Sequence, residues 1–350
     1  MKHLSEKIMK HIMSSGILAA TLLLYNGLSE AQSVLNVVTT LNYLKYVTEQ
    51  VGGDKVHVTA LANPKQDPHY VTPTPRMNEV ANDADLFIEN GLSLDLWAKN
   101  VIDASGNPRI QSGTSGHLIA TVNVPVKELP VEVSRAWGDI HPQGNPHVWL
   151  DPFNIKVVAQ NIAQRLGEID PSNAAYYRGN LEEFINRMDV AMFGDELLKA
   201  IGKRAGDILT RKARNDELES WLKSRNLESK LGGWMKRAQT LGGQKIISYH
   251  KTYIYFADRF GLQIAGELEE KPGIPPPPKH RDAVVELVKR EGIKVILNDN
   301  FYSHEAADYV ASKTNARVLV TYIEVGASEE TDTYEKLITY LIERIQQATS

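Results

Sequence analysis

Apolar runs of strand length alternate with stretches of helical periodicity over the N-terminal part of the chain. The strands are predicted from continuous β-branched apolar residues, and the helices from apolar positions spaced three or four apart. In order, the elements are a strand at 34–40, a helix at 43–51, a strand at 56–61, a proline-punctuated loop at 63–75, a helix at 77–84 and a strand at 85–89. This β-α-β-α-β order predicts a parallel sheet with helices on both faces.

The same alternation returns in the C-terminal part of the chain. Its elements are strands at 245–248, 263–267, 293–297 and 318–322, and helices at 253–260, 280–291, 306–314 and 333–347. We therefore expect a second βα lobe, which a terminal helix closes. The predicted fold class is α/β, with a parallel sheet in each of two lobes.

A helical region lies between the two lobes. It begins at Pro152 and continues from Pro171, with apolar residues spaced for one buried face, so a long helix here would brace both lobes. Residues 194–243 are polar and rich in Lys, Arg and Glu, and no role is assigned to them. The predicted organisation is a signal peptide at 1–31, an N-terminal α/β lobe at 32–151, a linking helix at 152–193, a polar helical insertion at 194–243 and a C-terminal α/β lobe at 244–350.

The N-terminus has the pattern of a secretory signal. Lys2, Lys7 and Lys10 precede an apolar run at 16–24, and a small-x-small sequence ends at Ala31. A permanent membrane helix needs about 20 apolar residues, so we expect cleavage after Ala31 and no stable membrane insertion. The chain has no cysteine, which excludes disulfides, thiolate metal sites and a lipid anchor on cysteine. We expect a free protein outside the cytoplasm, in the periplasm of a cell that has one.

Composition and charge narrow the possible partners. The chain is 42% hydrophobic and 23% charged, and its formal net charge is −4, as in ordinary soluble proteins. It lacks the clustered Lys and Arg residues that dominate phosphate binding, so we expect no nucleic-acid partner. We expect the protein to be a monomer.

Three histidines stand where an α/β fold places its ligand sites, just beyond the carboxyl ends of strands. His69 lies in the loop after the second strand, His147 lies in a later loop, and His250 follows the strand at 245–248. Neutral imidazole binds zinc, and tetrahedral zinc sites take three or four protein ligands. A lone loop histidine is more often solvated or hydrogen-bonded than metal-bound, so both interpretations stay open at each position.

Neighbouring prolines favour a binding role for two of these histidines. Pro68 and Pro146 stiffen the loops that present His69 and His147, which lowers the ordering cost of binding. His141 lacks this support and is interpreted as a flexible surface residue, with auxiliary metal capture as the alternative.

Longer motifs surround the same three histidines. They are Asp67-Pro68-His69 with Pro73-Thr74-Pro75, then Asn145-Pro146-His147-Val148-Trp149-Leu150-Asp151-Pro152, and then Tyr249-His250-Lys251 with Tyr255-Phe256-Ala257 and Phe260-Gly261-Leu262. With these motifs the chain resembles the metal-binding solute-binding proteins of zinc and manganese ABC importers, of the cluster A-I type, from Val34 to about Ile345. The resemblance implies that His69, His147 and His250 each supply a metal ligand at the interface of two βα lobes joined by one long rigid helix.

The resemblance also implies a fourth ligand, an aspartate in the second lobe. Asp332 is the best match because it stands just before the terminal helix, although an aspartate there is equally suited to capping that helix. Glu324 directly follows a strand and is the second candidate, and Asp299 is the third. Glu269 and Glu270 lie in the proline-rich segment 267–278, which is interpreted as a rigid connector rather than a source of ligands.

The predicted function is capture of a divalent metal ion and its delivery to the membrane permease of an ABC importer. Three imidazoles with at most one carboxylate suit Zn²⁺, whereas Mn²⁺ prefers more oxygen ligands and is the alternative cargo. The metal is cargo, and we expect no catalysis. Two other classes stay open: an exported zinc-dependent hydrolase, which three histidines would also suit although no His-Glu-x-x-His run is present, and a binder of a metal chelate or organic solute.

Overall fold

The fold is described by a computed structural model that covers residues 34–130, 141–271 and 273–349. The predicted signal peptide, 1–31, lies outside the described residues. The strands are β1 Leu35–Thr39, β2 Val56–Ala60, β3 Leu86–Glu89, β4 His117–Ile119, β5 Lys245–Ser248, β6 Gln263–Glu267, β7 Val295–Asp299 and β8 Arg317–Thr321. The helices are α1 Asn42–Gly52, α2 Pro75–Asn82, α3 Ala98–Ser105, α4 Pro152–Ile169, α5 Ala174–Phe193, α6 Asp195–Ile201, α7 Ala205–Arg214, α8 Leu218–Lys223, α9 Gly233–Arg237, α10 Ile254–Phe260, α11 Pro278–Glu291, α12 Glu305–Lys313 and α13 Tyr334–Thr349.

Each lobe contains a four-stranded parallel sheet, and the two sheets have equivalent strand orders. The first runs β2-β1-β3-β4 and the second β6-β5-β7-β8. Helices cover both faces of a parallel sheet, so its central strands are rich in buried apolar residues. Val37 and Val38 of β1 are buried, and so are Val295, Ile296 and Leu297 of β7. The α/β fold with two parallel sheets is confirmed.

The part of the chain between β4 and β5 contains the two longest of the described helices. Helices α4 and α5 have 18 and 20 residues, and a 3-10 turn at Pro171–Asn173 separates them. Asp170 and Pro171 interrupt the first helix, and the two helices pack against each other. The predicted long linking helix is therefore present, with a break that divides the region in two. None of the helices among the described residues is long and apolar enough to cross a membrane.

The segment predicted as a polar helical insertion contains the short helices α6 to α9. It is attached to the rest of the molecule by apolar side chains, because Leu209, Leu222 and Trp234 are buried. The positions at which lobes and insertion begin and end as domains stay predictions. Helix α3 and strand β4 were not predicted from the sequence; β4 has only three residues, which is too short for a periodicity to show.

Candidate metal centre

The carboxyl ends of both sheets face a shared region, and the three histidines enter it from three loops. His69 lies in the loop after β2, His147 in the loop after β4, and His250 two residues after β5. Loops that follow parallel strands all leave from the same edge of the sheet. This topology brings side chains together that are far apart in the sequence.

The three imidazole rings form a nearly equilateral triangle. Ring centroids lie 5.2 Å apart for His69 and His147, 5.3 Å for His69 and His250, and 5.3 Å for His147 and His250. One ligand nitrogen from each ring lies within 4.8 Å of the other two, and no other such group occurs among residues 34–130, 141–271 and 273–349. His147 and His250 are buried and His69 is partly buried. The arrangement is able to hold one ion between three nitrogens.

The same local hydrogen-bond pattern orients His69 and His147. In the first loop, the Asp67 Oδ1 accepts from the backbone N–H of His69 at 2.9 Å and lies 2.8 Å from its Nδ1. In the second, the Asn145 Oδ1 accepts from the backbone N–H of His147 at 3.0 Å and lies 3.0 Å from its Nδ1. Because each Nδ1 faces an acceptor, it carries the proton, and each Nε2 offers its lone pair to a metal.

A carboxylate from another strand orients the third ring. The Glu269 Oε2 lies 2.8 Å from the His250 Nδ1, and both side chains are buried. Glu269 follows β6, which is the neighbour of β5 in the sheet. A carboxylate acceptor raises the basicity of the imidazole and fixes its tautomer, so Glu269 leaves the His250 Nε2 free to offer its lone pair.

We expect Glu269→Ala to weaken zinc binding by about 10- to 100-fold, the usual effect of losing such a supporting partner. Glu270→Ala is the matched control, since Glu270 is the adjacent residue and is exposed. Chelator-competition titrations measure both affinities. Equal affinities for the two variants would show that Glu269 does not support the site.

Burial sets the protonation state of His147. Burial lowers the pKa of the His147 ring well below its ordinary value, and the nearby His69, His250 and His141 lower it further when they carry charge. Burial alone would raise the pKa of Asp67, but hydrogen bonds and charge from His69 outweigh it, so that the Asp67 pKa is lowered. A neutral His147 and an ionised Asp67 are the states that metal binding requires.

The rest of the second motif joins the two lobes beneath the histidines. The Trp149 Nε1 donates to the carbonyl of Ile323 at 2.7 Å, and the Tyr334 hydroxyl donates to the carbonyl of Trp149 at 2.6 Å. The Trp149 ring stacks on Tyr43 with centroids 5.2 Å apart. The 3-10 turn that presents His147 is therefore fixed to both lobes.

A buried ion pair completes this connection. Arg259 of α10 donates from Nε and Nη2 to the two carboxylate oxygens of Asp151, at 3.0 and 2.9 Å. The guanidinium also lies over the Phe153 ring, 4.1 Å from its centroid. Asp151 caps α4 by accepting from the Phe153 N–H at 2.9 Å. Both charges are compensated although both side chains are buried.

Asp332 and Glu324, two of the predicted fourth ligands, lie outside the group of three imidazoles. Asp332 is exposed at the surface, where its carboxylate pairs with the Lys336 Nζ at 2.7 Å. Glu324 is buried, and its Oε2 accepts from the N–H groups of Asn42 and Tyr43 at the N-terminus of α1. Burial raises the pKa of Glu324 to about 8, against the effect of these two hydrogen bonds.

Asp299, the third candidate, is occupied by its own hydrogen bonds. Its carboxylate accepts from the Thr252 hydroxyl at 2.8 Å and from the Tyr253 hydroxyl. Burial raises the pKa of Asp299 to about 6, and the hydrogen bonds from Tyr253 and Thr252 oppose that rise. Because Thr252 and Tyr253 closely follow His250 in the chain, their bonds to Asp299 help to fix the turn that carries His250.

His141 is placed differently from the sequence expectation. Its ring is partly buried, and its Nε2 lies 3.2 Å from the His69 Nε2. Burial lowers the pKa of His141 to about 3, with further lowering by charged His69 and His250. The interpretation of His141 as a surface residue was wrong, because the turn it occupies folds against the first histidine loop.

Sequence reasoning did not identify the residues that hold the imidazoles in place. Asp67 and Asn145 belong to the histidine motifs, and each stands two residues before its histidine. That spacing was the sequence signal for a side chain that accepts from the histidine Nδ1. Glu269 gave no such signal, since it was assigned to a connector and lies 19 residues from His250 in the sequence.

A sequence profile of the family described as "Zinc-uptake complex component A periplasmic" matches residues 37–192 and 225–348 of the chain. The protein belongs to this zinc-uptake component family. The match omits residues 193–224, which fall almost entirely within the predicted insertion. The matched residues include His69, His147 and His250. Proteins of this family are periplasmic substrate-binding components that work with a membrane permease.

The proteins most relevant for comparison with this chain carry different metals in their names. The chain is 24% identical to "Iron-binding protein YfeA" of Yersinia pestis, over 95% of this chain and 91% of that protein. It is 26% identical to "High-affinity zinc uptake system protein ZnuA" of Bacillus subtilis, over 85% of this chain and 80% of that protein. The structure of FpvC from Pseudomonas aeruginosa in complex with Mn²⁺ has a TM-score of 0.66 at 21% identity, covering 91% of this chain and 99% of that one, and it shows the fold alone.

Taken with the geometry, the family establishes the general function. The chain is a substrate-binding protein of an ABC importer, and its cargo is a divalent metal ion.

Proposed function

We propose that this protein is exported, captures Zn²⁺ with the imidazoles of His69, His147 and His250, and releases it unchanged to a membrane permease. The observation that supports this most strongly is the triangle of rings, whose ligand nitrogens lie within 4.8 Å of one another. Zinc–nitrogen bonds of about 2.0–2.1 Å allow a single ion to reach all three.

The chemistry of the ligand atoms favours zinc over manganese. Each of the three rings presents nitrogen, and the carboxylates of Asp67 and Glu269 already accept from Nδ1 atoms. Mn²⁺ prefers sites rich in oxygen, whereas imidazole suits Zn²⁺. Asp332, Glu324 and Asp299 each have other partners, so the described carboxylates do not add the oxygen ligands that a manganese site needs.

The Asp67 and Asn145 hydrogen bonds support high affinity. They hold two imidazoles in the orientation for binding, so little conformational freedom is lost when the ion enters. The inter-lobe contacts of Trp149 have the same effect on the turn that carries His147.

We expect purified protein prepared without chelators to contain zinc at close to one ion per chain. In competition titrations, Zn²⁺ should bind at least about 100-fold more tightly than Mn²⁺, in line with the order of affinities for nitrogen sites. Elemental analysis and isothermal titration calorimetry provide the two measurements. Preferential binding of Mn²⁺, or no stoichiometric metal of any kind, would contradict the proposal.

A further inference from the structure

Residues 194–231 form a segment that leaves the chain after α5 and returns to the point from which it left. The Gly232 N–H donates to the carbonyl of Phe193 at 2.8 Å and so joins the two ends of the segment. Just beyond this junction Trp234 is buried, and its Nε1 donates to the Thr339 Oγ1 of α13 at 2.9 Å. The family profile omits residues 193–224, so most of this segment is an addition to the matched part of the fold.

A cavity of about 460 Å³ lies where the added segment meets α10. Leu218 and Leu222 of α8 line it together with Leu231, and Met235 of α9 and Phe260 of α10 line it from beyond the segment. Small-molecule sites in proteins occupy about 300–1,000 Å³ and have mostly apolar walls with a few polar groups. The cavity therefore has the size and the apolar walls of a ligand site.

The polar groups around this cavity are mainly acidic. Asp216, Glu219 and Glu228 line it and are exposed, and none of them forms an ion pair within residues 34–130, 141–271 and 273–349. A fourth carboxylate, that of Asp258, pairs with the Lys127 Nζ at 2.9 Å. We call Asp216, Glu219 and Glu228 the acidic rim. Their three charges have no partner within the described part of the chain.

Of the two cationic side chains that line the cavity, one is already neutralised. Arg259 is buried and donates to both carboxylate oxygens of Asp151, and its Nη1 lies 3.4 Å from the carbonyl of Ala213. Lys236 is exposed on α9 and has no ion pair among the described residues. One free ammonium group therefore faces the three carboxylates of the acidic rim, and the cavity has a net negative potential.

We infer that this cavity binds a small organic cation with an apolar body, in the class of aliphatic amines. The leucines, Met235 and Phe260 remove the apolar body from water, and the acidic rim attracts the cationic group. The same rim repels an organic anion. None of the three histidines of the metal centre lines the cavity, so the inference goes beyond the proposed function and does not depend on it.

Three probes with the same alkyl chain and different charge test this inference. They are octylamine, octanol and octanoate, titrated by calorimetry into the metal-free protein so that no probe binds zinc. We expect octylamine to bind about threefold or more tightly than octanol, which is the size of a partly exposed ion pair, and octanoate to bind most weakly. If the acidic rim were only a solvated surface, octylamine and octanoate would bind alike.

Two variants locate the bound amine. Glu219→Gln combined with Glu228→Gln removes two charges of the acidic rim, and it should weaken octylamine binding about threefold to tenfold while octanol binding is unchanged. Glu183→Gln is the matched control, because Glu183 is exposed on α5 and does not line the cavity. Leu231→Trp fills the cavity and should remove the binding of both octylamine and octanol.

Absence of saturable octylamine binding would overturn the inference. Equal or tighter binding of octanol or octanoate would do the same, since it would assign the cavity to a neutral or anionic molecule. Octylamine binding that persists in Leu231→Trp would place the amine elsewhere. The three probes decide the question on the unaltered protein even if a variant fails to fold. Zinc titrations test the proposed function separately, so either idea is able to fail alone.

Discussion

Zinc is expected to raise the melting temperature of the purified protein, and His147→Ala is expected to remove most of that rise. A ligand that binds only the folded state stabilises it by about 4 kcal/mol when its free concentration is roughly a thousandfold above Kd. His147 is the most informative residue to change, because it is the most buried of the three.

The comparison must separate metal binding from packing. His147→Ala also leaves a cavity in a buried site, so the metal-free variant should melt somewhat lower than the unaltered protein. The decisive quantity is the difference between melting temperatures with and without zinc, measured for each protein by calorimetry. His57→Ala, an exposed substitution on β2, should retain the full zinc-induced rise. A full rise in His147→Ala would show that His147 is not a ligand.

The largest effect on stability is expected from Arg259→Met. This change leaves the Asp151 carboxylate buried without its bidentate partner, and both side chains are at most 5% exposed. Removing one member of a buried ion pair costs about 3–5 kcal/mol. Asp151 retains its capping bond to Phe153, which does not neutralise its charge. Chemical denaturation of the metal-free protein measures the loss.

Arg76→Met is the matched control, since Arg76 and Glu79 form an ion pair whose side chains are 81% and 68% exposed. Such a surface pair is worth about 1 kcal/mol or less, so this variant should be nearly as stable as the unaltered protein. Arg259 does not touch the histidines, so zinc should still stabilise Arg259→Met. Equal stability of Arg259→Met and Arg76→Met would show that the Asp151–Arg259 pair does not hold the lobes together.

The fold was largely predictable because both lobes consist of short apolar strands and amphipathic helices in strict alternation. The strand predicted at 245–248 agrees with β5, and the one at 85–89 agrees with β3 to within a residue. The elements that were missed lack a local signal. β4 has three residues, and its pairing with β3 supplies the hydrogen bonds that make it a strand.

The three histidines were predictable for a different reason. Each stands in a motif after a strand, and the resemblance to a family connected three motifs that no periodicity connects. Whether a carboxylate completes the site was not predictable, because the pattern around Asp332 is equally suited to a helix cap and to a ligand. In the structure Asp332 pairs with Lys336 at the surface. Whether any of the predicted residues binds metal stays a prediction.

The contacts made by His141 and Glu269 depend on how distant loops pack. His141 is 72 residues from His69 in the sequence, and Glu269 is 19 residues from His250. Sequence separations of this kind produce no periodic pattern, and neither His141 nor Glu269 stands in one of the three histidine motifs. Tertiary structure was needed to place both against the imidazoles.

The most direct test of the central claim is the position of the ion itself. Crystals grown with zinc, with diffraction data collected on both sides of the zinc absorption edge, locate the metal by its anomalous scattering. We predict one strong peak about 2.0–2.1 Å from the Nε2 atoms of His69, His147 and His250. A peak bound elsewhere, or one that reaches only one of these three rings, would contradict the account.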